Sequence, residues 1–206
     1  MKRTTYLFLT VALLTLGLVA CQEAPTGQLT QAEQSLTAAQ QADAATYAGD
    51  ELTAADDALA AAKAEVTAQN EKFALFRNYE EANRLIAEAQ SKADAAETAA
   101  AAGKDEARQE AEASLAAAEA AVDEAEALLA ELNGCTPRPK GFAADLAVMQ
   151  GRVDSLATET QSIQNAIQAE QYSNAKAQAE AFRSQVQPLI DDMSSVKSKL
   201  RCRMIS

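Results

Sequence analysis

The longest helical pattern in the chain is YEEANRLIAEAQSKADAAETAAAAGKDEARQEAEASLAAAEAAVDEAEALLAEL, which spans residues 79–132. Its apolar residues recur at alternating steps of three and four, which places them on one face of an α-helix. Beyond Gly103 the register shifts through two consecutive steps of four, at residues 107, 111 and 115, which locally unwinds a supercoil without ending the helix. The face consists of Tyr79, Ala82, Ile86, Ala89, Ala93, Ala96, Ala100, Ala107, Ala111, Leu115, Ala118, Val122, Ala125, Leu129 and Leu132. Gly103 interrupts this series but costs a helix only about 1 kcal/mol relative to alanine. We therefore predict one continuous helix, and the alternative is a break at Gly103 between two hinged domains.

Two shorter helical patterns precede this segment. The first covers residues 29–47 and is followed by Gly49, which breaks it, and by Asp50, which we expect to cap the next helix. The second pattern is a heptad seam with one polar member, Gln69. That seam consists of Leu52, Ala55, Leu59, Ala62, Val66, Gln69, Phe73 and Phe76. We place the turn that follows at residues 77–78.

Two further helical patterns follow the long one. Residues 133–139, NGCTPRP, contain a helix stop and two prolines, so they cannot continue the helix. The fourth pattern then covers residues 142–167 and the fifth residues 172–200. Pro188 lies inside the fifth, but the apolar stripe continues past it, so we expect a kink rather than a break.

The composition agrees with a chain built from long helices. The 206 residues include no tryptophan and 4% aromatic residues, and much of the 48% apolar content is alanine. Alanine is the best helix former but buries little surface. We predict an all-α fold, an elongated antiparallel helical bundle or coiled coil in which two three-helix bundles share one long central helix. The N-terminal bundle would comprise residues 29–102 and the C-terminal bundle residues 103–206.

A targeting leader precedes the helices. Residues 2–20 begin with two basic residues and continue as an apolar run, which is typical of a secretory signal peptide and short for a bilayer span of about 20 apolar residues. The run ends in LVAC, residues 18–21, and resembles the signal of bacterial lipoproteins, in which the cysteine is acylated, for example with palmitate. We expect a signal peptide at residues 1–20, lipidation of Cys21 and a short flexible tether at residues 21–28. The alternative is an ordinary signal peptide with an incidental cysteine.

The residue after the cysteine indicates a destination. Gln22 stands where an aspartate would resemble a signal for retention in the inner membrane. The resemblance therefore implies a protein anchored by lipid in the outer membrane and facing the periplasm. Stable anchoring takes more than one acyl chain, and bacterial lipoproteins typically carry such a set.

The two remaining cysteines predict a disulfide. Cys135 follows the long helix and Cys202 follows the fifth, so in the predicted topology both lie at the same end of the second bundle. The periplasm is oxidising, and we therefore predict a Cys135–Cys202 disulfide. A nucleophilic or metal-binding thiol is the alternative, although the chain has no histidine and no CxxC spacing.

Charge and residue types exclude several functions. Removal of the two basic residues of the leader changes the net charge from −12 to −14, which argues against nucleic acid as a partner. Paired carboxylates such as those at 56–57 and 123–124 fall away from the apolar seams and are expected to be solvated. We find no catalytic triad, zinc site or phosphate-binding loop in the sequence. We therefore expect no enzyme activity, no metal and no cofactor.

One aromatic group is a candidate interaction site. Phe73, Phe76 and Tyr79 lie close together around the turn after the second helix. They could close the end of the bundle, which is the interpretation that we favour, or they could form a docking site for a partner.

Residues 31–96 resemble the DUF4398 family, alanine-rich helical domains of bacterial envelope lipoproteins that have no assigned function. The resemblance is carried by Ala32 and Ala39, by YAGDEL at residues 47–52, and by YEEA at residues 79–82 with the alanine and leucine spacing that follows each. Family members typically have Tyr-Ala-Pro where this chain has Gly49. The resemblance implies a helical domain in the cell envelope and no activity.

These observations together predict a structural or interaction protein. We expect a spacer, scaffold or interaction platform that is held to the membrane by its lipid and that contacts protein or peptidoglycan partners, or further copies of itself through exposed alanine. The alternative is an accessory lipoprotein that binds a ligand or a subunit in a groove of the helical bundle.

Overall fold

The computed structural model describes residues 23–136 and 139–200, and these residues are helical almost throughout. The helices are α1 (Thr26–Gln41), α2 (Ala44–Tyr47), α3 (Gly49–Asn70), α4 (Glu80–Asn133), α5 (Phe142–Gln168) and α6 (Tyr172–Leu200), with a 3₁₀ turn at Ala74–Phe76. No β-strand occurs within these described ranges. The prediction of an all-α fold is confirmed.

Helix α4 is continuous over its 54 residues and takes part in both halves of the fold. The chain divides into two compact units, one ending at Gly103 and the other beginning at Lys104. Segment 80–103 of α4 belongs to the N-terminal unit and segment 104–133 to the C-terminal unit. The alternative, a break at Gly103, does not occur, and the prediction of one uninterrupted helix is confirmed.

The N-terminal unit has a core made mostly of alanine. One cluster joins α1, α3 and the start of α4 through Leu36, Leu59, Val66, Tyr79 and Ile86, with alanines between them. A second cluster contains only alanine among its buried members: Ala39, Ala44, Ala48, Ala96 and Ala100. Since an alanine side chain is a single methyl group, helices packed through such a cluster approach one another closely.

Gly103 is required by such a close approach. A Cβ atom built on Gly103 would lie 2.9 Å from the backbone oxygen of Tyr47 and 3.1 Å from its Cβ. Tyr47 is the last residue of α2, so the end of this short helix rests directly on the backbone of α4. Helix propensity alone predicts a small cost for Gly103, whereas the structure shows that the position has no room for a side chain.

Helices α1 and α3 are antiparallel, and an ion pair between them shows their register. Lys63 Nζ lies 2.7 Å from Glu33 Oε1. Counting from this pair at the same rise per residue in each helix, Thr26, the first residue of α1, lies about level with Asn70, the last residue of α3. In agreement with this register, Ala24 packs against the cluster that contains Val66 and Tyr79.

In the C-terminal unit, α4 and α6 are parallel and in constant register. Lys104 Nζ lies 2.6 Å from Glu170 Oε2, and Lys176 Nζ lies 2.9 Å from Glu110 Oε2, both across a separation of 66 residues. An ion pair between Lys197 and Glu131 continues the same register. Helix α5 joins them, and its Gln164 donates to Glu119 Oε1 at 2.9 Å. Helix α5 buries Phe142, Leu146, Val153, Leu156 and Ile163, and α6 buries Tyr172, Phe182, Val186, Leu189 and Met193, whereas Met149, Ile167, Val196 and Leu200 are half-buried.

Helix α6 continues through Pro188. The neighbours of this residue on the apolar stripe, Val186 and Leu189, are both buried. The prediction that the proline would not end the helix is confirmed.

The ends of the first helices differ from the prediction. Helix α1 begins at Thr26, inside the expected tether, and ends at Gln41 rather than at residue 47. Asp43 adopts a left-handed conformation with φ 62°, which aspartate tolerates better than most residues. Asp50 is not a cap, because Ala48 precedes the first helical residue and Asp50 lies in the first turn, where a negative charge favours the helix dipole.

Candidate functional site

The α3–α4 turn, residues 71–79, differs most from the alanine-rich helices around it. Helix α3 ends at Asn70, and the 3₁₀ turn Ala74–Phe76 follows before α4 begins at Glu80. The predicted helix through Phe76, with a turn at residues 77–78, was therefore too long.

Three large apolar side chains of this turn are exposed. Phe73 is 69% exposed, Leu75 67% and Phe76 75%, and among the described residues Val148 is the other large apolar side chain of this kind. The rings of Phe73 and Phe76 lie side by side, with centroids 6.4 Å apart and planes tilted by 51°. Single exposed apolar residues are ordinary, but a group of three in one turn indicates a contact surface. We call Phe73, Leu75 and Phe76 the apolar tip.

The backbone beneath the apolar tip is held by side chains. Arg77 donates from Nε to the backbone oxygen of Lys72 at 3.0 Å and from Nη2 to that of Asn70 at 2.9 Å. A cation in this position also favours the C-terminal end of the α3 dipole. The tip is therefore presented on an ordered turn.

Two further hydrogen bonds join the turn to the helices. Gln69 is buried, accepts the backbone N–H of Asn78 at 3.1 Å and donates to Glu65 Oε1 at 2.6 Å. Tyr79 donates its hydroxyl to Asn70 Oδ1 at 2.6 Å. Gln69 is the polar member of the predicted seam, and it connects the end of α3 to the turn that precedes α4.

The three predicted interaction residues separate into two environments. Tyr79 is buried at the end of the bundle, as a plug would be. For Phe73 and Phe76 the plug interpretation is wrong, because both point into solvent. The register explains the difference: α1 begins at Thr26, level with the end of α3, so no part of α1 extends far enough to cover side chains beyond Asn70. Leu75 was not predicted, since it lies off the heptad seam.

Most carboxylates lie on exposed helix faces, and others, such as Glu119 and Glu131, are half-buried. In the described part of the chain, no group of three or more carboxylates or cysteines is placed to hold a metal ion. Hydrogen bonds from Arg84 lower the pKa of Glu81, and a hydrogen bond from Lys92 is the main cause that lowers the pKa of Glu88. These are the charge pairs expected on one helix at spacings of three and four residues.

Cys135 is disulfide-bonded and buried. Its predicted partner, Cys202, lies outside the described residues, as does the lipidation candidate Cys21. The constant register of α4 and α6 places Leu200, the last residue of α6, level with Gly134. This register agrees with a Cys135–Cys202 bond, and the pairing stays a prediction.

A shallow groove in the C-terminal unit is a second candidate. It lies between α4 and α6 and has a floor of small residues, Ala117 and Ala121. Glu124, Glu180 and Arg183 line its sides. The groove is open and bordered by opposite charges.

Comparisons with known proteins suggest no function for the apolar tip or the groove, so both are interpreted from their chemistry. No family model matches the chain, and no curated protein or solved structure matches it. The resemblance to the DUF4398 family therefore stays a prediction. None of the helices between residues 23 and 200 that the structure describes has the length and apolar character that a membrane crossing requires.

Proposed function

We propose that the chain is an outer-membrane lipoprotein whose helical units serve as a spacer, scaffold or interaction platform on the periplasmic side. The observation that carries this proposal is the position of α1. Its first residue, Thr26, follows closely on Cys21, so only residues 22–25 would separate the acylated cysteine from a packed helical unit. A linker of this length would hold the N-terminal unit close to the membrane surface.

The surfaces of the described residues support a role in contact. The core of the N-terminal unit is a seam of apolar side chains joined by the buried Gln69, and most of its carboxylates lie on exposed faces. The one concentrated apolar surface among these residues is the apolar tip. Such a surface recognises a hydrophobic partner.

Lipidation is tested by labelling cells with a clickable palmitate analogue. We expect label on the wild-type chain and on a Cys202→Ser control, and none on Cys21→Ala, which should also keep its leader. The Gln22→Asp substitution should move the protein to the inner membrane, which membrane fractionation measures. Equal labelling of Cys21→Ala and wild type would refute lipidation at this cysteine.

The scaffold role is tested by deletion and complementation. Loss of the gene should weaken the envelope, measured as sensitivity to detergent, and the wild-type chain should restore resistance while Cys21→Ala should not. A deletion strain with an intact envelope, and no partner crosslinked to the wild-type chain in cells, would contradict the proposal.

The groove of the C-terminal unit favours a second candidate function, an accessory lipoprotein that binds a ligand or a subunit there. Its small floor and charged sides suit an extended peptide or a helix that carries both signs of charge. An Ala121→Trp substitution should fill the groove and abolish a thermal shift produced by envelope fractions, with Ala101→Trp on an exposed part of α4 as control. An unchanged shift would remove this candidate.

A further inference from the structure

The apolar tip lies at the end of the N-terminal unit where the chain enters it. Because Thr26 is level with Asn70, residues 23–25 run beside the α3–α4 turn. Ala24 packs against the cluster that contains Tyr79, the last residue of that turn. The exposed Phe73, Leu75 and Phe76 therefore lie at the same end of the unit as Glu23.

The proposed lipidation site, Cys21, is close in sequence to this end of the N-terminal unit. Cys21 is two residues before Glu23, so their Cα atoms are at most about 7 Å apart, since an extended chain spans at most about 3.6 Å per residue. A lipid on Cys21 would therefore enter the membrane close to the apolar tip.

The charge of the turn also suits a phospholipid surface. In a chain of net charge −12, the turn carries Lys72 and Arg77 against one acidic residue, Glu71. Basic residues beside apolar side chains favour the boundary between phosphate headgroups and acyl chains. Contact through this end alone keeps the acidic faces of the helices away from the headgroups.

We propose that the apolar tip (Phe73, Leu75 and Phe76) inserts into the phospholipid surface of the membrane that holds the acylated Cys21. This inference rests on the proposed lipid anchor. The anchor and the tip are two attachment points on one end of the N-terminal unit, and together they set its orientation, which a lipid on a linker alone does not.

Tryptophan fluorescence tests the insertion, because the chain has no tryptophan of its own. The Phe76→Trp variant places a reporter in the tip, and Val148→Trp is the matched control, since Val148 is 65% exposed and lies in the C-terminal unit. Both full-length lipidated proteins are reconstituted in vesicles of phosphatidylethanolamine and phosphatidylglycerol, with and without bromine on the acyl chains. Circular dichroism verifies that each variant keeps its helix content.

We expect brominated acyl chains to quench the Phe76→Trp emission and blue-shifted emission from this variant in plain vesicles, and neither effect for Val148→Trp. Phe73→Ser added to the Phe76→Trp variant should reduce the quenching. Emission from Phe76→Trp that is solvent-like and unquenched would overturn the proposal. Equal quenching of both reporters would also overturn it. A blue shift without quenching that increases with protein density would overturn it as well, because it would indicate that the tip contacts a second copy of the chain.

Vesicle flotation separates this inference from the proposal on which it rests. Both variants should float with the vesicles because the lipid on Cys21 anchors them. Flotation without quenching would overturn the insertion of the tip alone. Failure to float would overturn the lipid anchor and the insertion with it.

Discussion

Replacing Gly103 by alanine tests whether the contact between α2 and α4 requires a glycine. The new Cβ would lie 2.9 Å from the backbone oxygen of Tyr47, which is closer than such atoms approach in proteins. Because the opposing atom belongs to the backbone at the end of α2, it cannot rotate away as a side chain would. The helix itself must move, or Tyr47 must.

Two opposing terms set the size of the effect. Alanine in place of glycine stabilises a helix interior by about 1 kcal/mol, and overpacking a well-packed contact costs about 1–3 kcal/mol. We expect Gly103→Ala to be destabilising by up to about 2 kcal/mol, or neutral where the two terms cancel. Gly151→Ala is the control, since Gly151 lies inside α5 with nothing within 4 Å of its built Cβ. The Gly151→Ala substitution should therefore raise the free energy of unfolding by the full helix-propensity difference between alanine and glycine.

Urea unfolding followed by far-UV circular dichroism measures both variants. The two units can unfold in separate transitions, so hydrogen exchange of α1 amides reports the N-terminal unit by itself. Ala102→Gly, at an exposed position beside Gly103, should lower stability by about 1 kcal/mol and calibrates the propensity term in this helix. The reasoning would be refuted if Gly103→Ala stabilised the N-terminal unit as much as Gly151→Ala stabilises the C-terminal unit.

Three further predictions follow from the core, the charges and the cysteines. Ala96→Leu, within the all-alanine cluster, should cost the N-terminal unit about 1–3 kcal/mol in urea unfolding, and Ala101→Leu on the exposed side of α4 should be nearly neutral. Lys92→Gln should raise the pKa of Glu88 toward its ordinary value of 4.5 in an NMR titration. The pKa of Glu88 is lower in the folded state than its ordinary value, so its pair with Lys92 stabilises the protein above about pH 4.5. This contribution is lost as the pH falls through the folded pKa. The melting temperature of Lys92→Gln should therefore depend less on pH in this range. Cys202→Ser should create one free thiol, detectable by mass spectrometry of alkylated peptides, and should lower stability by about 2–4 kcal/mol; a free-thiol count that falls by one would exclude the predicted pairing, because Cys202 would then be free in the wild type.

The path of the long helix could be predicted from the sequence because its seam is regular. The buried positions of the predicted seam include Tyr79, just before α4, and Ile86, Val122, Leu129 and Leu132 within it, with most of the seam alanines between them. Ala107 and Leu115 are only half-buried, and these lie where the register shifts after Gly103. A periodic pattern predicts which face of a helix is buried. The prediction is accurate where neighbouring helices pack along the whole length of that face.

The exposure of the apolar tip could not be predicted in this way. Phe73 and Phe76 continue the heptad of α3 without a break, so the pattern alone assigns them to the core. Whether a seam residue is buried depends also on where the neighbouring helix ends. That end is fixed by Thr26 in α1 and by the register between the two helices, and neither is recorded in the spacing of α3.

Gly103 matters more to the packing than its helix propensity suggests, because apolar periodicity alone does not specify how neighbouring helices are aligned. Alanine seams are nearly uniform, so sliding one helix past another by a heptad exchanges one methyl contact for a similar one, and periodicity specifies the register only weakly. Register then depends on the few positions that are not alanine. In the N-terminal unit these include the ion pair of Lys63 with Glu33, the large Ile86, and Gly103, which admits the backbone of Tyr47 to 2.9 Å of where a Cβ would lie. A shift of α4 by one heptad would place Ala96 or a charged residue of the following turn near Tyr47, and each would collide with it. The glycine therefore favours a single register of α2 against α4.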